Sequence, residues 1–308
     1  MHYRPLGATG MTVSEIGLGC ASYWGKPAFD ERTAVRLVHA AIEGGATFFD
    51  TGASYALGEA EPRLGRALHG RDASGLVIAT KAGTRAEGGK VVRDFRPQAL
   101  VASAERSLRN LGLGVLPLLN LHGPSSADLN DDVFEALDGL KRRGLVRALG
   151  VNSFDPALID QALGLPLFDV VMIDYNVLRP ERRALAARAA AAGKGVLAGM
   201  PLAMGHTGLQ VLKIRGPQDV WYAARGLVRH RAEVARGARF AFLNRLPDVS
   251  GAQAALAYVL EDANVACAVV GTTRPAHLAQ NLAASGLRLA PQLRARIQRV
   301  QGIIDGPG

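Results

Sequence analysis

"DERTAVRLVHAAIEGGATFFDT", residues 30–51, joins two different hydrophobic periods. From Asp30 to Gly45 the apolar residues recur at spacings of three and four, after an acidic start and before a glycine stop. That pattern predicts an amphipathic helix. The run "TFFDT" (47–51) follows at once, short, continuously apolar, and closed by an acid, Asp50. Runs of this kind suit parallel strands covered on both faces.

The same alternation extends in both directions. The short apolar runs are "EIGLGC" (15–20), "TFFDT" (47–51), "LVIATK" (76–81), "LPLLNLH" (116–122), "VRALGVN" (146–152), "DVVMIDYN" (169–176), "KGVLAGM" (194–200) and "ACAVVGT" (266–272). Helical patterns at 96–112, 130–144, 179–193 and 250–262 lie between them. Eight strand runs alternating with helices predict an α/β fold of the (β/α)8 TIM-barrel type. The rival is a doubly wound open sheet, which needs a glycine-rich phosphate turn after its first strand. "GLGCAS" (17–22) lacks the third glycine of that turn. No shift in composition marks a boundary, so residues 1–308 are expected to form a single domain. The long connection between strands 7 and 8, residues 201–265, carries Trp221 and Tyr222.

Composition narrows the function classes. Of 308 residues, 48% are hydrophobic and only 6% aromatic, so the core is expected to be Ala, Leu and Val. The net charge of +9 would suit an anionic partner. The basic residues are dispersed, however, and the densest clusters, "KRRG" (141–144) and "RHR" (229–231), read as solvated faces. That argues against nucleic acid and leaves a phosphate-bearing ligand, which needs few charges. The two cysteines, Cys20 and Cys267, show no CxxC or Cys/His spacing, so neither a disulfide framework nor a metal site is expected. With no signal-type segment at the start and no run long enough to span a bilayer, the expected setting is cytoplasmic, with no membrane partner.

In a barrel the C-terminal ends of the strands converge on one mouth. The second run ends on Asp50, the third on Lys81, the fourth on His122, the fifth on Asn152 and Ser153. Singly, an Asp after a strand reads as a helix cap, a Lys as a solvated charge and a His as a satisfied core residue. An acid, a base and an imidazole at consecutive strand ends together read as a site.

Here the sequence resembles the aldo-keto reductases. "FFDTGASYALGEAEPRLGRAL" (48–68) is similar to their most characteristic segment. "IATK" (78–81) resembles their lysine strand and "LLNLHGP" (118–124) their histidine strand. "YRPLGATGMTVSEIGLGC" (3–20) resembles their opening and "GTTRPAHLAQNL" (271–282) their closing cofactor segment. The match spans nearly the whole chain in the correct order. The resemblance implies a catalytic tetrad of Asp50, Tyr55, Lys81 and His122.

The chemistry explains these residue types. Carbonyl reduction takes a hydride to carbon and a proton to oxygen, and a nicotinamide must supply the hydride. Tyr55 would donate the proton. A phenol titrates near pH 10, so Lys81 would lower its pKa and Asp50 would keep Lys81 charged and placed. His122 would hydrogen-bond and orient the substrate oxygen.

The cofactor positions implied by the resemblance are less regular. Asn152 and Ser153 stand in the reverse of the family's Ser-Asn order. Met172 stands where the family has a Gln, and reads as core filler. Where an aromatic usually covers the nicotinamide, "AGMPL" (198–202) offers Met200, with Pro201 and Leu202 beside it. Gly271, Thr272 and Thr273 would present backbone and hydroxyl groups to phosphates near a helix start. Arg274 would pair with an adenosine 2′-phosphate. His277 replaces a usual Arg, while Gln280 and Asn281 match adenine-side residues. NADP(H) is therefore expected, with NAD as the alternative. Tyr23, Trp24 and Trp221 are candidate aromatic walls for a carbonyl or sugar substrate, alongside Tyr55 and His122. The expected activity is NADP(H)-dependent reduction of an aldehyde or ketone. An aldose dehydrogenase working oxidatively is the alternative, and a non-catalytic cofactor-binding subunit is a third reading.

Overall fold

The computed structural model describes residues 1–25, 29–203 and 231–303. Each of the eight apolar runs supplies one strand of a closed parallel barrel. In chain order the barrel strands are β3 (Ile16–Gly19), β4 (Phe48–Asp50), β5 (Val77–Ala82), β8 (Leu116–His122), β9 (Val146–Asn152), β10 (Val170–Ile173), β11 (Gly195–Ala198) and β12 (Cys267–Gly271). Each pairs with its sequential barrel neighbour, and β12 closes on β3 with Gly271 opposite Gly19. The doubly wound alternative is excluded by this closure.

The helix predicted from residues 30–45 forms as α1 (Glu31–Glu43). The Asp30 side chain accepts from the Thr33 backbone N–H and satisfies one of the donors orphaned at a helix start. Ala34, Leu37, Val38 and Ala41 are its buried stripe. Leu37 is completely buried, and its replacement by Ala would cost about 2–5 kcal/mol. The helix stops at Gly44, and Gly45 follows in the left-handed region (φ +84°), which turns the chain into β4. Parallel strands alternating with such helices need no long-range information beyond period and length, which is why this part reads from sequence.

Two antiparallel hairpins lie outside the predicted alternation. β1 (Tyr3–Pro5) and β2 (Thr12–Ser14) pair before the barrel begins. Leu6, Met11 and Val13 from this hairpin pack with Phe48, Val77, Leu118, Ala148, Val170, Leu197 and Cys267, the inward residues of the barrel. The hairpin thus plugs the end opposite the strand C-termini. β6 (Thr84–Glu87) and β7 (Lys90–Arg93) form the second, directly after β5. Its tip is Gly88-Gly89, both at positive φ, as a tight two-residue hairpin turn requires.

The long connection after β11 contains a helix at Arg231–Ala238 and another at Gly251–Leu260. The latter starts with a reciprocal cap between Ser250 and Gln253. Trp221 and Tyr222 lie outside the described residues. Among the described residues, no helix is long and apolar enough to cross a membrane.

Candidate active site

Asp50 is the last residue of β4, and Lys81 points inward from the neighbouring β5. Lys81 Nζ donates to Asp50 Oδ1 at 2.6 Å, to Asp50 Oδ2 at 2.7 Å and to the Thr51 carbonyl at 2.8 Å. Lys81 is fully buried and Asp50 is 4% exposed. A buried ammonium persists only when paired and hydrogen-bonded, and here Asp50 and the Thr51 carbonyl meet that need. Burial pulls the Lys81 pKa down, but Asp50 and Tyr55 together outweigh it and hold the lysine above its ordinary value. Burial likewise pushes the Asp50 carboxyl above its ordinary value, against the pull of Lys81.

Tyr55 enters from the loop after β4. Its N–H donates to the Gly52 carbonyl at 2.9 Å, a turn that folds the loop back over the barrel. Gly52 lies beside both groups: a Cβ there would meet Lys81 Cδ and the Tyr55 ring at 3.5 Å, an ordinary van der Waals contact. The Tyr55 ring rests on Lys81, with Nζ 4.7 Å from its centroid. Immediately beyond, Ala56 and Leu57 both adopt left-handed backbone (φ +56°), an unfavourable state for residues with a Cβ. The loop that carries Tyr55 is thus strained beside the mouth.

His122 is the last residue of β8, opposite Asn152 of β9. Its ring meets Tyr55 edge-on, with centroids 5.5 Å apart and planes at 84°. Burial, then the nearby charges of Lys81 and Arg93, push its pKa down to about 3. The imidazole is neutral at physiological pH. Its Nδ1 lies 2.7 Å from the Thr84 hydroxyl.

One electrostatic expectation is corrected. Lys81 does pull the Tyr55 phenol toward ionisation, but burial is the larger cause and the net pKa is above the ordinary phenol value. At neutral pH Tyr55 is therefore a protonated phenol. A buried phenolate would be desolvated, and a lysine already shared with Asp50 cannot fully compensate that.

The remaining positions divide. Asn152 and Ser153 sit at the end of β9, each 8% exposed. Met172 belongs to the inward core of the barrel, 5% exposed, so it is packing, as the sequence suggested. Met200 follows β11 in left-handed backbone (φ +51°). The Asn176 amide donates to its carbonyl at 3.2 Å, which helps hold that unusual turn at the mouth. Pro201 is buried beside it and Leu202 packs on the outer core.

At the end of β12, Gly271, Thr273, Arg274, His277 and Gln280 are exposed, while Thr272 and Asn281 are buried. The Thr272 hydroxyl accepts from the Arg274 N–H at 3.1 Å and shapes the turn into the helix Pro275–Leu282. No side chain caps that helix start. Its free N–H groups, with Arg274 and His277 beside them, fit a phosphate group.

The aromatic positions also separate. Tyr23 reaches the mouth, where a Cβ on Gly271 would lie 1.9 Å from its hydroxyl. Only a glycine at 271 admits that contact. Trp24 does not reach it. Its side chain is completely buried against Phe29 at 5.6 Å, and its carbonyl accepts from Arg63. Trp24 is thus packed in the core in this structure. Trp221 lies outside the described residues. Cys20 and Cys267 are both free and buried. Among the described residues, no cluster of three or more His, Cys, Asp or Glu could hold a metal ion.

The fold and site define a barrel enzyme whose polar groups gather at the C-terminal ends of its strands. The sequence profile of the Aldo/keto reductase family matches residues 15–301, and the chain belongs to that family of oxidoreductases. It is similar to the uncharacterized oxidoreductase YqkF of Bacillus subtilis, 28% identical over 94% of this chain and 92% of that protein. It is also similar to a D-threo-aldose 1-dehydrogenase of a Pseudomonas species, 27% identical over 94% of each. Among solved structures it superposes on the holo form of aldo-keto reductase AKR11C1 from Bacillus halodurans. There the TM-score is 0.82 and the identity 27%, over 99% of this chain and 97% of that one.

Proposed function

We propose that the protein is an NADP(H)-dependent reductase of aldehydes or ketones, with Tyr55 as general acid. The observation that carries this reading is the buried, hydrogen-bonded Lys81–Asp50 pair lying under the Tyr55 ring. When bound, the nicotinamide supplies the hydride that goes to the carbonyl carbon. Arg274, His277 and the uncapped helix start at Pro275 would hold its phosphates, and Asn152, Ser153 and Met200 its nicotinamide end.

The chain's own residues manage the proton. Neutral His122 donates a hydrogen bond to the carbonyl oxygen and turns it toward Tyr55. Tyr55, a phenol at neutral pH, gives its proton to that oxygen as the C=O bond becomes an alcohol. The phenolate left behind is stabilised by the Lys81 ammonium, whose charge Asp50 maintains.

The oxidative alternative, an aldose dehydrogenase, is favoured by one observation: the similarity to the D-threo-aldose 1-dehydrogenase. The same groups serve that direction, with Tyr55 then accepting the proton. Fluorescence titration with NADPH and NADH, followed by a carbonyl panel and a sugar panel, tests both. Tighter binding of NADPH and turnover of carbonyls are expected. Turnover confined to sugar oxidation would replace the first reading with the second. Cofactor retained without turnover in either direction would leave only a binding role.

A further inference from the structure

Ser54 and Thr84 carry no signal in the sequence, yet the structure joins them to His122. Thr84 Oγ1 lies 2.7 Å from His122 Nδ1, and Ser54 Oγ lies 2.9 Å from Thr84 Oγ1. Both hydroxyl residues are buried, Ser54 at 5% and Thr84 at 8% exposure. Ser54 makes no capping bond to the short helix that it precedes.

The backbone explains how Thr84 arrives there. Gly83, just past β5, has φ +92°, and a Cβ on it would lie 2.2 Å from the Phe95 ring. A glycine allows both the turn and the close approach. It starts the β6–β7 hairpin, whose first residue is Thr84.

We propose that Thr84, backed by Ser54, fixes the Nε2–H tautomer of His122 and is the positioning residue for the group that orients the substrate. The inference rests on the reading of His122 given above. A neutral imidazole carries one N–H, and each hydroxyl carries one hydrogen. Two arrangements of the chain are possible. If Nδ1–H donates to Thr84, then the hydrogen of either Ser54 or Thr84 finds no acceptor among the described residues. If Ser54 donates to Thr84, then Thr84 donates to Nδ1, and both buried hydroxyl hydrogens have acceptors, leaving only the ring N–H at the mouth unpartnered. A buried hydroxyl left without an acceptor is the costlier state, so the second arrangement prevails. The ring proton is then on Nε2, which no described residue engages, free to donate to a substrate oxygen. Because burial keeps the ring neutral down to about pH 3, the tautomer decides whether His122 can donate at all.

The test is a two-bond proton–nitrogen correlation spectrum of the full-length protein labelled with 15N-histidine. The chain has seven histidines, so the His122→Asn spectrum identifies the signal. Wild type is expected to show His122 protonated at Nε2. Thr84→Val should release the ring from its single tautomer and lower kcat roughly 10-fold to 100-fold, the cost that loss of a ring-orienting partner carries at metal sites, with cofactor affinity unchanged. Thr84→Ser should restore both. Should Thr84→Val fail to fold, Ser54→Ala removes the donor behind Thr84 and is expected to move the tautomer in the same direction. A wild-type ring protonated at Nδ1, or a tautomer unmoved by these variants, overturns the proposal. If the protein turns over no carbonyl or sugar, the functional reading falls while the spectrum still decides the tautomer.

Discussion

Lys81 Nζ lies within 2.7 Å of both carboxylate oxygens of Asp50, with the lysine wholly out of water. The two residues come from adjacent strands, 31 positions apart. Removing one partner leaves an uncompensated buried charge. Asp50→Asn is therefore expected to destabilise the protein by about 3–5 kcal/mol. Urea denaturation of the variant measures it. A midpoint equal to wild type would show that the pair contributes nothing to stability.

Tyr55→Phe keeps the ring on Lys81 and deletes only the hydroxyl. Carbonyl reduction should fall by roughly 100-fold to 10,000-fold, the usual range for loss of a general acid. Cofactor binding should be nearly unchanged, because the ring packing survives. Steady-state kinetics with fluorescence titration separate the two quantities. Reduction at close to the wild-type rate would remove Tyr55 from the mechanism.

The pKa directions set the pH dependence. Tyr55 is raised, so the protonated phenol that reduction requires is present throughout the neutral range. Reduction should be flat from about pH 6 to 8 and decline only in alkali, while oxidation, which needs the phenolate, should rise with pH. A reduction rate that falls on passing from pH 6 to 8 would contradict this.

His122 couples the same site to stability. An unfolded histidine takes up its proton near pH 6.5, whereas folded His122 does so only near pH 3. Between those values the unfolded state binds more protons, so stability falls as the pH drops through that window. His122→Gln should show a shallower loss over the same range. Urea midpoints measured at several pH values compare the slopes, and parallel curves would refute the coupling.

Gly83 admits no side chain without disturbance. At φ +92° and with the Phe95 ring 2.2 Å from a notional Cβ, Gly83→Ala should cost roughly 2 kcal/mol or more. The Thr84 contact to His122 should loosen with it, so kcat should also decline. Thermal unfolding together with kinetics tests both effects. An alanine variant as stable and active as wild type would show that the hairpin yields easily.

Legibility followed the range of the interactions. The eight apolar runs and α1 were readable because a strand between two covering layers must be continuously apolar, and a surface helix must show a period near 3.6. The β1–β2 plug leaves no mark in the sequence pattern, since three-residue strands are too short to show a period. Trp24 looked like a rim aromatic because its position after a strand end does not reveal which way the side chain turns. The burial of Met172, by contrast, followed from its apolar character.

The sequence by itself determined the barrel and the polar strand ends Asp50, Lys81 and His122, because both are written in local pattern and in residue type, while Tyr55 joined them through the family resemblance. The direction of the Tyr55 shift was decided only by the tertiary structure, since it depends on how completely folding excludes water. So were the hydroxyl chain from Ser54 through Thr84 to His122 and the loss of Trp24 to the core. Ser54 and Thr84 are 30 positions apart, and Thr84 and His122 are 38 apart. Hydrogen bonds between such residues are short-range forces, so they exist only after the barrel has closed and brought its strand ends together.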